Sequence, residues 1–351
     1  MRTSEQLDWD ALAGYAREKL AAELGDRFDA TAPMIVEQFP GGHSNLTYLL
    51  RFGDQEFVMR RPPFGPVPPK AHDMARECRI LAAVHPVFPL APRPYVLCED
   101  ASIIGSTFYI MERRHGLVVR YEEPPELADQ PKARRRVSEA MVAALADLHS
   151  VDINAHGLAG LGKPAGFVER QVRGWNERWK RSQTSEQPAM DQLAVWLVDR
   201  LPPDAPKPTL LHGDFKLDNV MLDALDVGRL AAVFDWEMSA VGDPLVDLGI
   251  LLAYWIHTVP ASQRDSLTSV TRRAGWFTRA EMLERYAART GNDLTKDRIL
   301  RSICRLQTGA SCSQQIFYRY HRGQTDDARF AKLDERVKWL ERIATELAER
   351  V

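Results

Sequence analysis

The sequence has no apolar run of the roughly 18 to 20 residues that a bilayer-spanning helix requires, and its first stretch, MRTSEQLDWDALAGYAREKL, lacks the continuous apolar segment of a secretory signal. A cytoplasmic protein without a membrane partner is the expectation. Cysteine is scarce: Cys78, Cys98, Cys304 and Cys312 form no C-x-x-C pair and have no histidine at zinc spacing. A disulfide framework and a structural zinc site are therefore not indicated, and free buried thiols are expected. Charge of one sign is also missing, since 46 Lys and Arg face 48 Asp and Glu for a net charge of −2. No overall electrostatic footprint for nucleic acid or an anionic membrane exists. Repeats and long low-complexity tracts are absent as well. What remains is a chain of 351 residues, 45% hydrophobic and 27% charged, long enough for two lobes with a sizeable core.

Polar candidates concentrate in residues 209–247, TLLHGDFKLDNVMLDALDVGRLAAVFDWEMSAVGDPLVDL. The apolar runs Thr209 to Leu211, Val220 to Leu222 and Leu230 to Phe234 are too short for helices and are punctuated by Gly, Asp and Asn, so they read as short strands. The polar residues then sit on loops at strand ends. His212, Asp214 and Asn219 are spaced His-x-Asp-x-x-x-x-Asn, and Asp235 ends the next strand. Phosphoryl transfer gives this pattern a reason: one Asp accepts the proton of the attacking hydroxyl, while an Asn and a second Asp offer hard oxygen ligands to magnesium. Asp and Asn are also common turn formers. The further occurrence of Gly242-Asp243-Pro244 and Asp247 favours the chemical reading over a plain turn.

HGDFKLDN, VFDWE and GDPLVDL in this order resemble the catalytic core of the aminoglycoside phosphotransferase and choline kinase-like family, relatives of protein kinases. Through GGHSNLTYLL, VMRRPP, RECRIL and VLCEDASIIGSTFYIMER the chain is more similar to the kinase-like domain fused to certain acyl-CoA dehydrogenases. The resemblance implies an α+β, two-lobed protein-kinase-like fold with a small antiparallel-sheet N-lobe and a large, mostly helical C-lobe. It implies ATP and Mg²⁺ as the nucleotide and the metal.

The order of elements agrees with this picture. An amphipathic helix over 5–24 precedes strands at Met34 to Phe39, Leu46 to Phe52 and Glu56 to Arg61. A helix follows over 71–84, then strands Tyr95 to Cys98 and Thr107 to Glu112. Further helices are expected over 131–150, across the aromatic-rich stretch 164–200, and over 245–256, 279–290, 295–320 and 332–349. Thr278 is a helix N-cap with Glu281 completing a capping box and Gly291 as the stop. The expected division is 1–111 for a nucleotide-binding lobe and 112–351 for the lobe with the catalytic loop and the acceptor site. Arg134, Arg135 and Arg136 are expected on a solvated helix face.

By resemblance, Asp214 is the catalytic base, and Asn219 and Asp235 hold the metal. Gly41, Gly42, Ser44 and Asn45 form a loop over the nucleotide, where glycine lets backbone N–H groups approach phosphate; a plain hairpin is the alternative. Arg60 stands where protein kinases carry a lysine, and a guanidinium also suits phosphate. Arg61, on the opposite face of its strand, is the weaker candidate. Glu77 pairs with Arg60. Glu112 and Arg113 mark the connection whose backbone reads adenine. Lys216 is near enough to Asp214 to help hold the γ-phosphate, or is a surface lysine. His212 braces the loop, Asp218 caps a turn, Asp247 anchors the catalytic loop, and Glu237 reaches toward the site.

The reaction expected is transfer of the γ-phosphate of ATP to a hydroxyl of a small molecule. The region around 165–200 and 250–290 mixes Arg170, Arg173, Arg178, Arg181, Arg272 and Arg273 with aromatic residues, which does not suit a polycation. A metabolite, with a hydroxyacyl-CoA as one candidate, therefore ranks ahead of an aminoglycoside. A catalytically silent nucleotide-binding or scaffold protein on the same fold is the alternative, and a protein kinase ranks third because no A-P-E segment is present. Oligomeric state is not legible.

Overall fold

The computed structural model describes residues 7–39, 45–63, 73–120, 122–255, 269–292, 294, 310, 313–323 and 330–349. The chain folds as two compact units: residues 1–116 with 231–237, and residues 117–230 with 238–351. The sequence division placed Asp235 with the C-terminal lobe; its segment packs instead with the first unit. The reason is local: the Val233 amide donates to the Leu90 carbonyl at 2.8 Å, and the Trp236 ring meets Phe88 edge-on at 5.8 Å.

The first unit is a five-stranded antiparallel sheet with one helix leading into it. Strands β1 (Met34–Gln38), β2 (Leu46–Phe52), β3 (Gln55–Arg61), β4 (Pro94–Cys98) and β5 (Phe108–Glu112) are ordered β1-β2-β3-β5-β4. Gly53, at φ +56°, and Asp54 form the two-residue β2–β3 turn, where a left-handed conformation matches the twist of the strands. Helix α1 (Trp9–Leu24) starts at residue 9 because the Asp8 carboxylate caps it, accepting from the Ala11 amide at 2.9 Å. It buries Leu12, Ala16 and Leu20 in a core shared with Tyr48, Phe52, Phe57, Phe108 and Ile110. Helix α2 (Met74–Val84) is capped by Asp73 and buries Cys78, Leu81 and, unusually, Glu77. Cys78 and Cys98 are free, buried thiols; Cys304 and Cys312 lie outside the described residues.

The second unit is mainly helical: α3 (Pro131–Ser150), α4 (Phe167–Ser182), α5 (Pro188–Asp199), α6 (Pro244–Tyr254), α7 (Arg279–Thr290) and α8 (Leu333–Ala348), with a further helical run at 313–320. The helical stretch 164–200 is two helices, the first ending at Ser182 and the second opening on Pro188, before which Gln187 is non-helical as a residue preceding proline tends to be. Trp179, Met190, Leu193 and Leu197 from these helices pack with Val337, Leu340 and Ala344 of α8. Phe167, Trp175 and Trp179 are all buried, so these aromatics are core.

Two short pairings carry the motif loops. Strand β7 (Thr209–Leu211) pairs antiparallel with β10 (Ala240–Gly242), and β6 (Leu117–Val118) pairs with β8 (Val220–Leu222). Between β8 and β10 runs β9 (Leu230–Val233). Strands β6 and β10 escaped the sequence reading: β6 has only two residues, too few to show a period, and β10 runs directly into Gly242-Asp243-Pro244, which reads as a turn.

One expectation is corrected. Arg135 and Arg136 are exposed, but Arg134 is only 5% accessible; it donates to Glu123 and to the Ala274 carbonyl, both at 2.8 Å. Three successive residues on a helix span about 200°, wider than a single solvated face, and Arg134 is the one that turns inward. Helix α7 shows the expected capping box in full, with the Thr278 hydroxyl accepting from Glu281 N at 3.1 Å and the Glu281 carboxylate accepting from Thr278 N at 2.8 Å. Thr278→Ala is expected to cost about 1 kcal/mol and Thr278→Ser to retain the stability, read as the shift of the urea midpoint.

Candidate active site

In the first unit, strand alternation turns Arg60 toward α2, where its NH1 lies 2.5 Å from Glu77 Oε1; its NH2 is 3.2 Å from Asp235 Oδ1. Glu77 is 1% accessible. Burial pushes its carboxyl up to about 7; Arg60 pulls it down, while Asp235 and Glu237 push it further up. Burial opposes the charge of Arg60, yet Glu77, Tyr109 and Asp235 more than compensate and raise it well above an ordinary arginine. Arginine stays charged in any case, so the pair's charge is conditional on Glu77. Asp235 has φ +68°, a left-handed conformation uncommon outside glycine and typical of residues held for a purpose.

Buried Asn45 donates to Glu237 Oε2 at 3.5 Å, and Arg76 donates to the Glu237 carbonyl. Gly41, Gly42 and Ser44 lie outside the described residues. Glu112 and Arg113 are occupied within their own unit. Glu112 donates its amide to the Arg93 carbonyl at 2.8 Å and pairs with Arg114 at 3.0 Å, while Arg113 covers the Phe39 ring at 4.9 Å.

In the second unit the β7–β10 pairing delivers His212 and Gly213 into a sharp turn at the end of β7. Gly213 has φ +84°, and a Cβ there would strike the Met238 carbonyl, so the turn needs glycine. The turn is held by Asp247 in the first turn of α6. Fully buried, its carboxylate accepts from the His212 amide at 2.6 Å, the Gly213 amide at 2.8 Å and His149 Nε2 at 3.4 Å. Burial would raise its pKa, but these donors outweigh it and hold the carboxyl below its usual range. His149 Nδ1 in turn meets the Tyr286 hydroxyl at 2.7 Å. His212 is buried, and its Nδ1 accepts from the Asp214 amide at 3.1 Å. The bracing role expected of His212 matches this bond.

Asp214 Oδ2 accepts from Lys216 Nζ at 2.6 Å and from Asn219 Nδ2 at 3.0 Å. Asn219 Nδ2 also donates to the Asp214 carbonyl at 2.9 Å, which leaves the amide oxygen of Asn219 to face other partners. Lys216 lies 4.9 Å from the Tyr254 ring centroid. Burial opposes its charge, but Tyr254 and Asp214 raise its pKa above that of an ordinary lysine. It is a permanent counter-charge to Asp214 rather than a surface lysine.

Sequence reasoning passed over His149, Tyr286, Tyr254 and Arg76. His149 had a signal: it continues the apolar stripe of Leu145 and Leu148, where a polar side chain demands a buried partner. The others had none, because their roles depend on segments distant in sequence.

Taken separately, Asp235 of the first unit offers a carboxylate and Asn219 of the second a carbonyl oxygen, both ligand types that magnesium takes alongside water and phosphate. Among the described residues no group of three or more His, Cys, Asp and Glu gathers as an all-protein cage.

Asp247→Asn is expected to cost about 3–5 kcal/mol, the cost of breaking a buried charged network. Because the native pKa is depressed, the contribution of Asp247 is complete above the unfolded carboxylate value near 4 and drains as pH falls through the native value. Urea midpoints measured across the acid range should fall less steeply in the variant than in the native protein.

A model of the phosphotransferase enzyme family matches residues 35–284. Acyl-CoA dehydrogenase family member 11 of Rattus norvegicus is 37% identical over 291 residues, which cover 82% of this chain and 36% of the relative. Family member 10 of Mus musculus is 37% identical over 257 residues, covering 73% of this chain and 23% of the relative. The chain thus spans about a third or less of these proteins. A crystal structure from Ralstonia eutropha, assigned as an aminoglycoside phosphotransferase, superposes with a TM-score of 0.82 at 31% identity, covering 98% of this chain and 99% of the other. A GDP and kanamycin complex of APH(2")-IIia superposes at 0.63 with 14% identity, covering 94% and 99%, a likeness of fold alone.

Proposed function

Because the chain belongs to the phosphotransferase enzyme family, we propose that it is an ATP- and magnesium-dependent kinase that moves the γ-phosphoryl group to a hydroxyl of a small molecule. The observation that carries this reading is the state of Asp214. Its loop is anchored by Asp247, and its Oδ2 is held by Lys216 and Asn219, so the carboxylate is fixed before any substrate arrives. Catalysis of phosphoryl transfer rests on such positioning and on charge neutralisation.

In this mechanism the acceptor hydroxyl hydrogen-bonds to Asp214. Its oxygen attacks the γ-phosphorus, the bond between that phosphorus and the ADP oxygen breaks, and the hydroxyl proton passes to the Asp214 carboxylate. Lys216 holds that carboxylate in place at 2.6 Å and adds positive charge beside the γ-phosphate. Arg60, held by Glu77, supplies a guanidinium to the nucleotide phosphates. Asn45, with Gly41, Gly42 and Ser44, belongs to the covering loop, and Glu112 and Arg113 mark the adenine-reading connection through main-chain groups. Asp235 and Asn219 are the proposed magnesium ligands; the ion, when bound, neutralises charge on the β- and γ-phosphates.

The acceptor follows from weaker support. The curated relatives are named acyl-CoA dehydrogenases, which favours a metabolite such as a hydroxyacyl-CoA. Kanamycin and hygromycin B occur with neighbours of 14% and 16% identity, too distant to transfer an acceptor.

The test is transfer of label from γ-labelled ATP to a panel of hydroxylated compounds. Asp214→Asn should reduce transfer about 10²- to 10⁴-fold while equilibrium dialysis still detects bound ATP. Native protein that binds ATP yet labels no acceptor would instead support the silent scaffold. EDTA should abolish transfer and added Mg²⁺ restore it.

A further inference from the structure

Helix α7 and its neighbours are rich in arginine, and nearly all of these side chains are matched. Arg134 and Arg273 share Glu123 at 2.8 and 2.5 Å, Arg135 meets Glu281 at 2.9 Å, and Arg285 and Arg289 meet Glu139 at 3.8 and 3.0 Å. Arg279 differs. It is half-buried, yet among the described residues it has no carboxylate partner; its Nε donates to the Trp255 carbonyl at 2.8 Å. A guanidinium carries five N–H donors, and one bond uses one of them. Burial lowers its pKa, with no neighbouring carboxylate to oppose it. Arg279 is moreover the first residue of α7, at the positive end of the helix dipole, where a cation is disfavoured and an anion favoured. Among the described residues this partly desolvated cation thus lacks the carboxylate partner that Arg134, Arg135, Arg273, Arg285 and Arg289 have.

Its location relates it to the reaction. Trp255, whose carbonyl holds Arg279, follows Tyr254 directly, and the Tyr254 ring lies 4.9 Å from Lys216 Nζ, the group bound to Asp214. Arg279 is thus linked to the catalytic carboxylate through the C-terminal end of α6, all within the second unit. The buried Trp255 and Trp276 rings meet edge-on at 5.4 Å.

We propose that Arg279 is the anion receptor of the acceptor site, so that the molecule phosphorylated at Asp214 is a hydroxyl compound bearing a carboxylate or a phosphate. This rests on the kinase reading above. A guanidinium pairs with either anion through two parallel N–H donors. A polycation would meet repulsion there, and a neutral alcohol would leave Arg279 without its partner.

Four probes separate the possibilities: 3-hydroxybutyrate, its methyl ester, 3-hydroxybutyryl-CoA and kanamycin. Binding is followed through tryptophan fluorescence, to which Trp255 and Trp276 contribute, and transfer through labelled ATP. The native protein should bind 3-hydroxybutyrate or 3-hydroxybutyryl-CoA in preference to the ester and kanamycin. Preference for the free acid identifies a carboxylate, and preference for the thioester a phosphate. Arg279→Gln should weaken binding of the preferred anion and raise its KM about 10- to 100-fold, as expected for loss of a charge-assisted hydrogen bond, and Arg279→Lys should restore part of the loss. A thermal melt of each variant identifies simple unfolding, and partial rescue by lysine separates the charge from the clamp on Trp255.

Transfer to the ester or kanamycin with a KM unmoved by Arg279→Gln would overturn the anion receptor and leave the kinase standing. Equal binding of all four probes by native protein and Arg279→Gln would also overturn it. Absence of any ATP binding or label transfer would remove the kinase reading, and the receptor with it.

Discussion

The buried carboxylate of Asp247 is the constraint from which the catalytic loop takes its shape. Two consecutive backbone N–H groups, those of His212 and Gly213, point into a space where water cannot reach them, and Asp247 accepts both. An amide left unsatisfied there would cost free energy of the order of a lost hydrogen bond. Three features make the buried charge tolerable: the donors themselves, His149 beside them, and the position of Asp247 in the first turn of α6, where the helix dipole favours an anion. The turn they enforce needs Gly213, and it sets Asp214 one residue further along, with its own amide on His212. The geometry of this loop thus starts from a buried structural acid.

Among the candidate-site residues, Lys216 in the second unit and Arg60 in the first each face carboxylates, and the two arrangements differ in kind. Lys216 and Asp214 form a pair whose lysine is held charged, so Asp214 keeps its orientation and its counter-charge together. Arg60 has two acidic neighbours in contact, Glu77 and Asp235, and Glu237 adds further negative potential to the buried Glu77. Burial, opposed by Arg60 and reinforced by Asp235 and Glu237, pushes the Glu77 carboxyl up to about 7, so the negative charge assembled there is conditional on Glu77. Preorganised charge of this type does not need to reorganise during the reaction.

The matched arginines of the helical unit give the same principle in reverse. Glu123, wholly buried, accepts from Arg134, Arg273 and the Trp276 indole, and ties 269–277 to α3. With its charges settled internally, this region is rigidified without any ligand. Arg279 is the departure from that rule, and a departure from local pairing is where a ligand's charge is most informative.

Much of the site was legible in the sequence because phosphoryl transfer asks for particular residue types at short spacing. Asp214, Lys216 and Asn219 meet within a single loop, so five residues of chain suffice to bring them together. The Arg60–Glu77 pair was reached through resemblance and is present as a short contact between β3 and α2. Helices α3 and α7 were found at their full lengths, since long amphipathic periods and a capping box are local signals. Strands β6 and β10, the inward turn of Arg134, the His149–Tyr286 bond and the packing of Asp235 with the first unit were not. None of these is encoded within a single period or loop. Each requires a partner roughly 100 residues or more away, or a neighbouring strand, so the choice waits until packing decides which polar group must be satisfied. The sequence by itself determined the family and the loop in which Asp214, Lys216 and Asn219 meet. Tertiary structure alone decided that His149 and Tyr286 stand behind the Asp247 anchor and which arginine has no carboxylate partner among the described residues, because burial and pairing are properties of the folded surroundings.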